Sequence, residues 1–130
     1  MGKKTSALRG TAKVDAVYIH NAKTAAATLF QNKWRIEILC AMCSGPTRLG
    51  QLSRKIPGAS KKVLTQNLRQ LEASGIVVRR DMSDLVLHIE YDLDRDIKAG
   101  VCALLDYLAE WGRHRLNSPA PIRENNRSST

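Results

Sequence analysis

Eight lysines and arginines lie within residues 45–80, a stretch that contains a single acid, Glu72. The eight cations are Arg48, Arg54, Lys55, Lys61, Lys62, Arg69, Arg79 and Arg80. Guanidinium and ammonium groups at this density bind phosphate oxygens, as bidentate forks or as point charges. The stretch shows no nucleophile beside a base and no glycine-rich phosphate loop. The chemistry that it predicts is therefore binding to a polyanion, without catalysis.

The charges of the chain are segregated. The 130 residues carry a net charge of +9, yet residues 81–110 contain eight acids and only two cations. A surface that merely keeps a protein in solution would mix the two signs. The positive field is thus concentrated in residues 45–80, where a polyanion would dock. A basic surface without a partner is the alternative that the charge pattern leaves open.

The residues around the cations predict two helices joined by a tight turn. The first helix covers about residues 48–56 and stops at the Pro-Gly pair 57–58, because neither residue continues a helix well. The second covers residues 61–74. Ser60 is its predicted N-cap and Gly75 its predicted C′ residue, since these residue types begin and end helices in this order. Such a pair is typical of a helix-turn-helix module.

The second helix of the pair is amphipathic. Leu64, Leu68 and Leu71 form one stripe, because residues three and four apart share a side of a helix. The opposite side is polar and cationic and consists of Lys62, Gln66, Arg69 and Ala73, with Lys61, Thr65 and Gln70 on its margins. A helix fits the major groove of B-DNA, where Arg and Lys suit guanine and Gln suits adenine. The predicted base-reading residues are Lys62, Gln66 and Arg69, and the predicted phosphate contacts are Arg48, Lys61, Thr65 and the amides at the Ser60 end of the helix.

Two segments after this helix predict a β-hairpin. Residues 76–80 are apolar and then basic, and residues 85–93 alternate apolar and polar side chains with a period of two. The short polar turn 81–84 separates them. A hairpin directly after a recognition helix is a wing, and its acidic tip leaves Arg79 and Arg80 at its base as the candidate DNA contacts.

Helices are also predicted on both sides of this module, over about residues 14–30, 33–43 and 96–116. The last one carries more apolar surface than a small domain needs to cover itself, which favours a dimer. The candidate interface residues are Leu104, Leu108 and Trp111. Coverage by residues 14–30 of the same chain is the alternative. The predicted fold class is mainly α (α+β), a winged helix-turn-helix with a two-stranded β-hairpin wing and flanking N- and C-terminal dimerisation helices.

Cys40 and Cys43 form a C-x-x-C pair on the predicted helix 33–43. One such pair supplies only half of a four-cysteine zinc site, and a mid-helix position does not suit a thioredoxin-like dithiol. We therefore expect core cysteines, with a redox role for Cys40 and Cys43 as the alternative, and Cys102 as a packing residue. Three cysteines without a disulfide framework indicate a reducing, cytoplasmic compartment.

The chain length predicts one domain over residues 14–116, with a flexible basic arm at 1–13 and a flexible tail at 117–130. No apolar run is long enough to span a bilayer, and no apolar segment of a secretory signal follows the basic N-terminus. The histidines show no ligand spacing. We expect no membrane association, no metal and no cofactor.

Several motifs, in order, resemble the HxlR-type winged helix-turn-helix regulators. The matching motifs are Lys33-Trp34 with its apolar run, Gly45-Pro46, Leu49-Gly50-Gln51-Leu52, the segment 56–77, Glu90-Tyr91-Asp92-Leu93 and Trp111-Gly112. The resemblance covers roughly residues 21–112. It implies a homodimeric transcription regulator whose two recognition helices read adjacent major grooves of a pseudo-palindrome. Some members sense oxidants through a cysteine ahead of the first helix, where this chain has Asn21.

These patterns predict a sequence-specific regulator of transcription that binds double-stranded DNA, by default a repressor, and not an enzyme. A non-specific architectural nucleic-acid-binding protein is one alternative, and a thiol- or ligand-responsive sensor of the same fold is another. Trp34 and Trp111 are the aromatic residues that could line a small-molecule effector pocket. A protein-interaction module or a small enzyme on the same fold is the remaining hypothesis.

Overall fold

The computed structural model describes residues 13–117. Its elements in chain order are α1 (Ala16–Leu29), α2 (Lys33–Cys43), α3 (Leu49–Lys55), α4 (Lys61–Ala73), β1 (Val77–Asp81), β2 (Ile89–Leu93) and α5 (Lys98–Asn117). The predicted fold class is confirmed. The predicted arm and tail lie outside the described residues except for Lys13 and Asn117, and Asn117 ends α5 instead of beginning the tail.

Side-chain caps begin three of the helices. Asp15 accepts a hydrogen bond from the amide of Tyr18 at 2.9 Å, and Asn32 caps α2 in the same way. The Ser60 hydroxyl accepts from the amide of Val63 at 3.1 Å, which makes Ser60 the N-cap of α4 as predicted. After α4 the chain reverses through Gly75, whose φ of 78° is open to glycine at little cost.

The core lies between α2 and α4 and extends to the hairpin and α5. Its fully or nearly fully buried side chains are Ile38, Leu39, Met42, Leu52, Leu64, Leu68, Leu71, Val77 and Leu93, joined by Val101 and Leu105 of α5. The leucine stripe of α4 packs inward because its spacing matches the helical period. This packing fixes which side of α4 faces solvent.

The hairpin pairs β1 with β2 in antiparallel register, from Val77 opposite Leu93 to Asp81 opposite Ile89. The strand predicted for residues 85–93 is therefore too long, since β2 begins at Ile89. Leu85 is 95% exposed, and its two successors are exposed as well. The reason is local: β1 ends at Asp81, so no described strand lies opposite residues 85–87. The amides of Met82, Ser83, Asp84 and His88 instead form hydrogen bonds within residues 81–88. Asp81 accepts from the amide of Ser83 at 3.0 Å in an Asx turn.

Candidate nucleic-acid interface

The outward side of α4 is cationic and polar. Lys61, Lys62, Gln66 and Arg69 are exposed, and Thr65 is half-buried at the margin. This exposure agrees with the helix face that the leucine spacing predicts. The side chains offer forked or multiple donors and, through Gln66, an amide that can donate and accept together. Their contacts with DNA stay a prediction.

The N-terminus of α4 adds backbone donors to this surface. The first amides of a helix have no intrahelical acceptor and carry the positive end of its dipole. Ser60 uses its hydroxyl to satisfy the amide of Val63, so its part in the site is that of a cap. The amides of Lys61 and Lys62 lie at the same end of the helix, where a phosphate oxygen could accept from them.

Arg48 connects α3 to the loop of the wing. It is the exposed N-cap residue of α3, and its backbone amide donates to the Gln51 side chain at 2.8 Å. Its Nη2 atom donates to the carbonyl of Leu87 at 3.3 Å. One side of the guanidinium is therefore engaged with the wing loop, and its other donors remain for a phosphate.

The two arginines of β1 point in different directions. Neighbouring residues of a strand project to opposite faces of a sheet, so Arg79 and Arg80 cannot act as a pair. Arg80 Nη1 lies 3.8 Å from Asp92, which also binds Lys98 Nζ at 3.1 Å. Asp92 is buried and draws Arg80 towards the start of α5. Arg79 is the less neutralised of the two.

The wing loop is acidic and apolar. Asp81 and Asp84 are exposed, as are Leu85 and Val86. Hydrogen bonds from the side chain and backbone of Ser83, with the nearby charge of Arg79, lower the pKa of the Asp81 carboxyl. Asp81 therefore keeps its negative charge at neutral pH, which disfavours contact between the tip and phosphates.

The structure corrects the expected arrangement of the cysteines. Cys43 of α2 forms a disulfide with Cys102 of α5, with Cα atoms 5.8 Å apart, and Cys40 is a free, exposed residue. Cys40 is thus not a core cysteine, Cys40 and Cys43 are not a pair, and Cys102 is more than a packing residue. The disulfide also contradicts the premise from which a reducing compartment was inferred, the lack of a disulfide framework. The C-x-x-C spacing misled because α5 packs across α2 and brings Cys102 next to Cys43. Partial burial and the charges of Asp106 and Glu37 raise the pKa of the Cys40 thiol, which disfavours its reactive thiolate.

Sequence reasoning missed Arg35, a buried arginine within α2. It is 1% exposed and donates hydrogen bonds to residues of both α1 and α4. Burial lowers the pKa of its guanidinium from the usual value. The available signal was a cation inside a largely apolar helical run, since arginine is almost never fully buried unless its donors are paired.

Two apolar surfaces lie on the flanking helices. On α5 the candidate interface residues Leu104, Leu108 and Trp111 are exposed, Trp111 by 58%. On α1 the exposed apolar residues are Val17, Tyr18 and Ile19. The alternative that residues 14–30 of the same chain cover the surface of α5 is therefore wrong.

A cavity of about 410 Å³ lies between α1 and the start of α5. Its apolar lining consists of Ala25, Leu29, Ile76, Ile97 and Val101, with His20 and Thr24 among the polar lining residues. Neither tryptophan lines it. Trp34 instead packs over the Pro-Gly turn, where a Cβ on Gly58 would lie 3.1 Å from its ring.

The helix pair, the following hairpin and the exposed cationic helix together define a winged helix-turn-helix protein with a nucleic-acid-binding surface. A model of the HxlR-like helix-turn-helix family matches residues 29–119. The protein belongs to this family, and the resemblance found in the sequence motifs is confirmed.

The chain is also similar to individual regulators and to a solved structure. The chain is 36% identical over 90 residues to an uncharacterised HTH-type transcriptional regulator of Methanothermobacter thermautotrophicus, over 66% of this chain and 68% of that protein. It is 35% identical over 85 residues to the uncharacterised HTH-type transcriptional regulator YtcD of Bacillus subtilis, over 65% and 67% of the two chains. The solved structure of the redox regulator HypR in its reduced form matches with a TM-score of 0.69 and 25% identity, over 75% of this chain and 94% of that one. Among residues 13–117, no helix has the length and apolar content of a membrane span.

Proposed function

We propose that this HxlR-family protein is a sequence-specific regulator of transcription that binds double-stranded DNA. It acts as a homodimer on a pseudo-palindromic operator in the cytoplasm, and it represses by occluding a promoter. It needs no cofactor and catalyses no reaction. The observation that carries the proposal is the side of α4 opposite the leucine stripe, where Lys62, Gln66 and Arg69 are all exposed.

Each residue of the surface has a separate role in this proposal. Lys62, Gln66 and Arg69 read base edges in the major groove, since their donors and acceptors match guanine and adenine. Lys61, Thr65 and the amides that follow Ser60 hold phosphates and orient the helix. Arg48, Arg79 and Arg80 flank the groove, with Arg80 weakened by its ion pair with Asp92.

Two protomers meet through the exposed apolar residues of α1 and α5. An interface of this kind buries surface that would otherwise face water, and a two-fold dimer places two α4 helices on one side of the duplex. The DNA half-sites would then lie about one helical turn apart, ~10–10.5 base pairs from centre to centre. A pseudo-palindromic operator follows from the two-fold symmetry of the protein.

Selection of bound duplexes from a random pool tests the proposal directly. We expect one preferred motif in two inverted copies at a fixed spacing. The logarithm of the affinity should fall linearly with the logarithm of the salt concentration, by about 0.9 for each phosphate contacted. Recovery of unrelated duplexes with the same salt dependence would instead indicate a non-specific architectural protein. Absence of DNA retention at physiological salt would overturn the proposal.

A sensor of thiol-reactive compounds is the second candidate, because the Cys43–Cys102 disulfide joins the core helix α2 to the dimerisation helix α5. A change in its oxidation state would then alter how α5 packs. If this is so, a reducing agent changes the DNA affinity of the wild type, and Cys102→Ser abolishes the change. An equal affinity under oxidising and reducing conditions would exclude this second role.

A further inference from the structure

Arg35 is buried, and the oxygens that accept its hydrogen bonds within residues 13–117 carry no charge. It is 1% exposed, and no ion pair within residues 13–117 includes it. Uncharged oxygens accept its hydrogen bonds: the carbonyl of Thr28 and the side chains of Gln31, Asn67 and Gln70. A buried charge is costly unless its donors are satisfied. An apolar residue would cost less at this position. The presence of an arginine here therefore calls for a role that its several directed donors perform.

The guanidinium joins two helices that lie far apart in the chain. Its Nη1 atom donates to the carbonyl of Thr28 at 2.5 Å, in the last turn of α1. Carbonyls at the end of a helix lack intrahelical donors and carry the negative end of its dipole, so a cation is favourable there. On the other side, Nε donates to Asn67 Oδ1 at 2.6 Å, and Nη2 donates to Gln70. Both acceptors belong to α4.

Asn67 is the anchor of this contact on α4. It is 3% exposed, and its Oδ1 atom also accepts from Asn32 Nδ2 at 3.0 Å. Its Nδ2 atom donates to the carbonyl of Val63 within α4 at 2.9 Å. The amide is thus held in one orientation, and it connects Arg35 to the backbone of α4. Gln66 and Arg69 immediately precede the two α4 partners of Arg35 in the sequence.

The position of α1 depends on few contacts. Leu29 is its buried residue, while Val17, Tyr18 and Ile19 remain exposed for a partner. The attachment of α1 to the rest of the domain is therefore concentrated in its last turn. There, Leu29 supplies the apolar contact and the carbonyl of Thr28 supplies the polar one, through Arg35.

We propose that Arg35 is a positioning residue that couples the orientation of α1 to that of α4. This inference rests on the proposed function, in which α1 contacts the partner protomer and α4 reads DNA. The separation of the two α4 helices in the dimer then depends on the Arg35 contacts. Arg35 consequently sets the spacing of half-sites that the dimer accepts, although it contacts neither DNA nor the partner.

The first test needs no DNA. Arg35→Met keeps much of the length of the side chain and removes its donors, whereas Arg35→Lys keeps the charge with a single nitrogen. We expect amide hydrogen exchange in α1 to become at least about tenfold faster in Arg35→Met, because local opening follows the loss of attachment. Exchange in β1 and β2 should stay unchanged, and Arg35→Lys should restore part of the protection. Arg95→Met, at an exposed position before α5, is the matched control.

If Arg35→Met does not fold, Gln70→Ala tests the same connection between α1 and α4. This variant removes one exposed acceptor of Arg35 and leaves the buried contacts. It should accelerate exchange in α1 in the same direction and by a smaller factor. Wild-type exchange rates in α1 for the folded variants would overturn the proposal.

The second test uses the duplex selected for the wild type, intact and with one half-site scrambled. In Arg35→Met we expect affinity for the intact duplex to fall at least about tenfold and affinity for the single half-site to change by less than about threefold. When the spacing between half-sites is altered, Arg35→Met should lose less affinity than the wild type does. An equal loss on both duplexes would show that Arg35 only supports α4 and would overturn the coupling. If the wild type prefers no duplex, the proposed function fails. The exchange measurement still decides whether Arg35 couples α1 to α4.

Discussion

The recognition helix α4 and the wing loop 82–88 are neighbours in the chain, yet their surfaces are opposite in character. The outward side of α4 presents Lys62, Gln66 and Arg69, whereas the wing presents Asp84 and the exposed side chain of Leu85. Phosphates attract the first surface and repel the second. A winged fold alone does not make a wing bind DNA. The side chains that the wing carries decide whether it binds. We therefore expect α4 to supply most of the affinity and specificity.

The largest expected effect concerns the scaffold that holds both regions. The Cys43–Cys102 disulfide links residues 59 apart in sequence, so Cys102→Ser should lower the free energy of unfolding by about 2–4 kcal/mol. Base preference should not change, because neither cysteine lies on α4 or the wing. Denaturant unfolding with and without a reducing agent measures the effect. Cys40→Ser is the control and should cost less than about 0.5 kcal/mol; equal stability of the oxidised and reduced wild type would contradict the prediction.

The next effect sharpens the role of α4. Arg69→Ala should weaken binding to the selected duplex by about 1–3 kcal/mol and relax the preference at one base pair, because a forked contact to guanine is lost. Binding to a panel of single-base variants measures both changes. Lys55→Ala, at the exposed end of α3, is the comparison variant. An unchanged base preference in Arg69→Ala would mean that the assigned face of α4 does not read bases.

A smaller and different change is expected at the start of α4. Lys61→Ala should weaken all duplexes about equally and make the salt dependence shallower by about 0.9 in the log–log slope, the contribution of one phosphate. Titrations at several salt concentrations provide the slope. A loss of affinity for one duplex only would show that Lys61 contacts bases instead of phosphates.

The smallest effect is expected in the wing. Asp81→Asn removes a charge and keeps an oxygen for the Ser83 amide, so DNA affinity should change by less than about twofold. Because the pKa of Asp81 is lowered in the folded protein, the ionised carboxylate stabilises the loop at every pH above the pKa of this group in the unfolded chain. That contribution is lost only as pH falls through the lower folded value.

Affinity of the wild type and of Asp81→Asn, measured from pH 5 to 8, should consequently run in parallel. A large gain of affinity in Asp81→Asn would place the wing tip against phosphates and would break the contrast between the two regions.

The two regions also differ in how well sequence predicts them. The predicted helix 61–74 matches α4 closely, because the Ser60 cap, the leucine stripe and Gly75 are all local signals. The predicted strand 85–93 is too long, because alternation is the same whether or not a partner strand lies opposite. Only the end of β1 at Asp81 decides where the pairing stops.

Local residues were sufficient for the fold class, the family and the outward side of α4, because caps and periodicity act within a few positions of the chain. Packing between distant segments decided the rest. Cys102 meets Cys43 only because α5 crosses α2, and Arg35 meets Asn67 only because α4 packs on the same helix. Such contacts depend on the relative placement of helices, which no short pattern in the chain encodes.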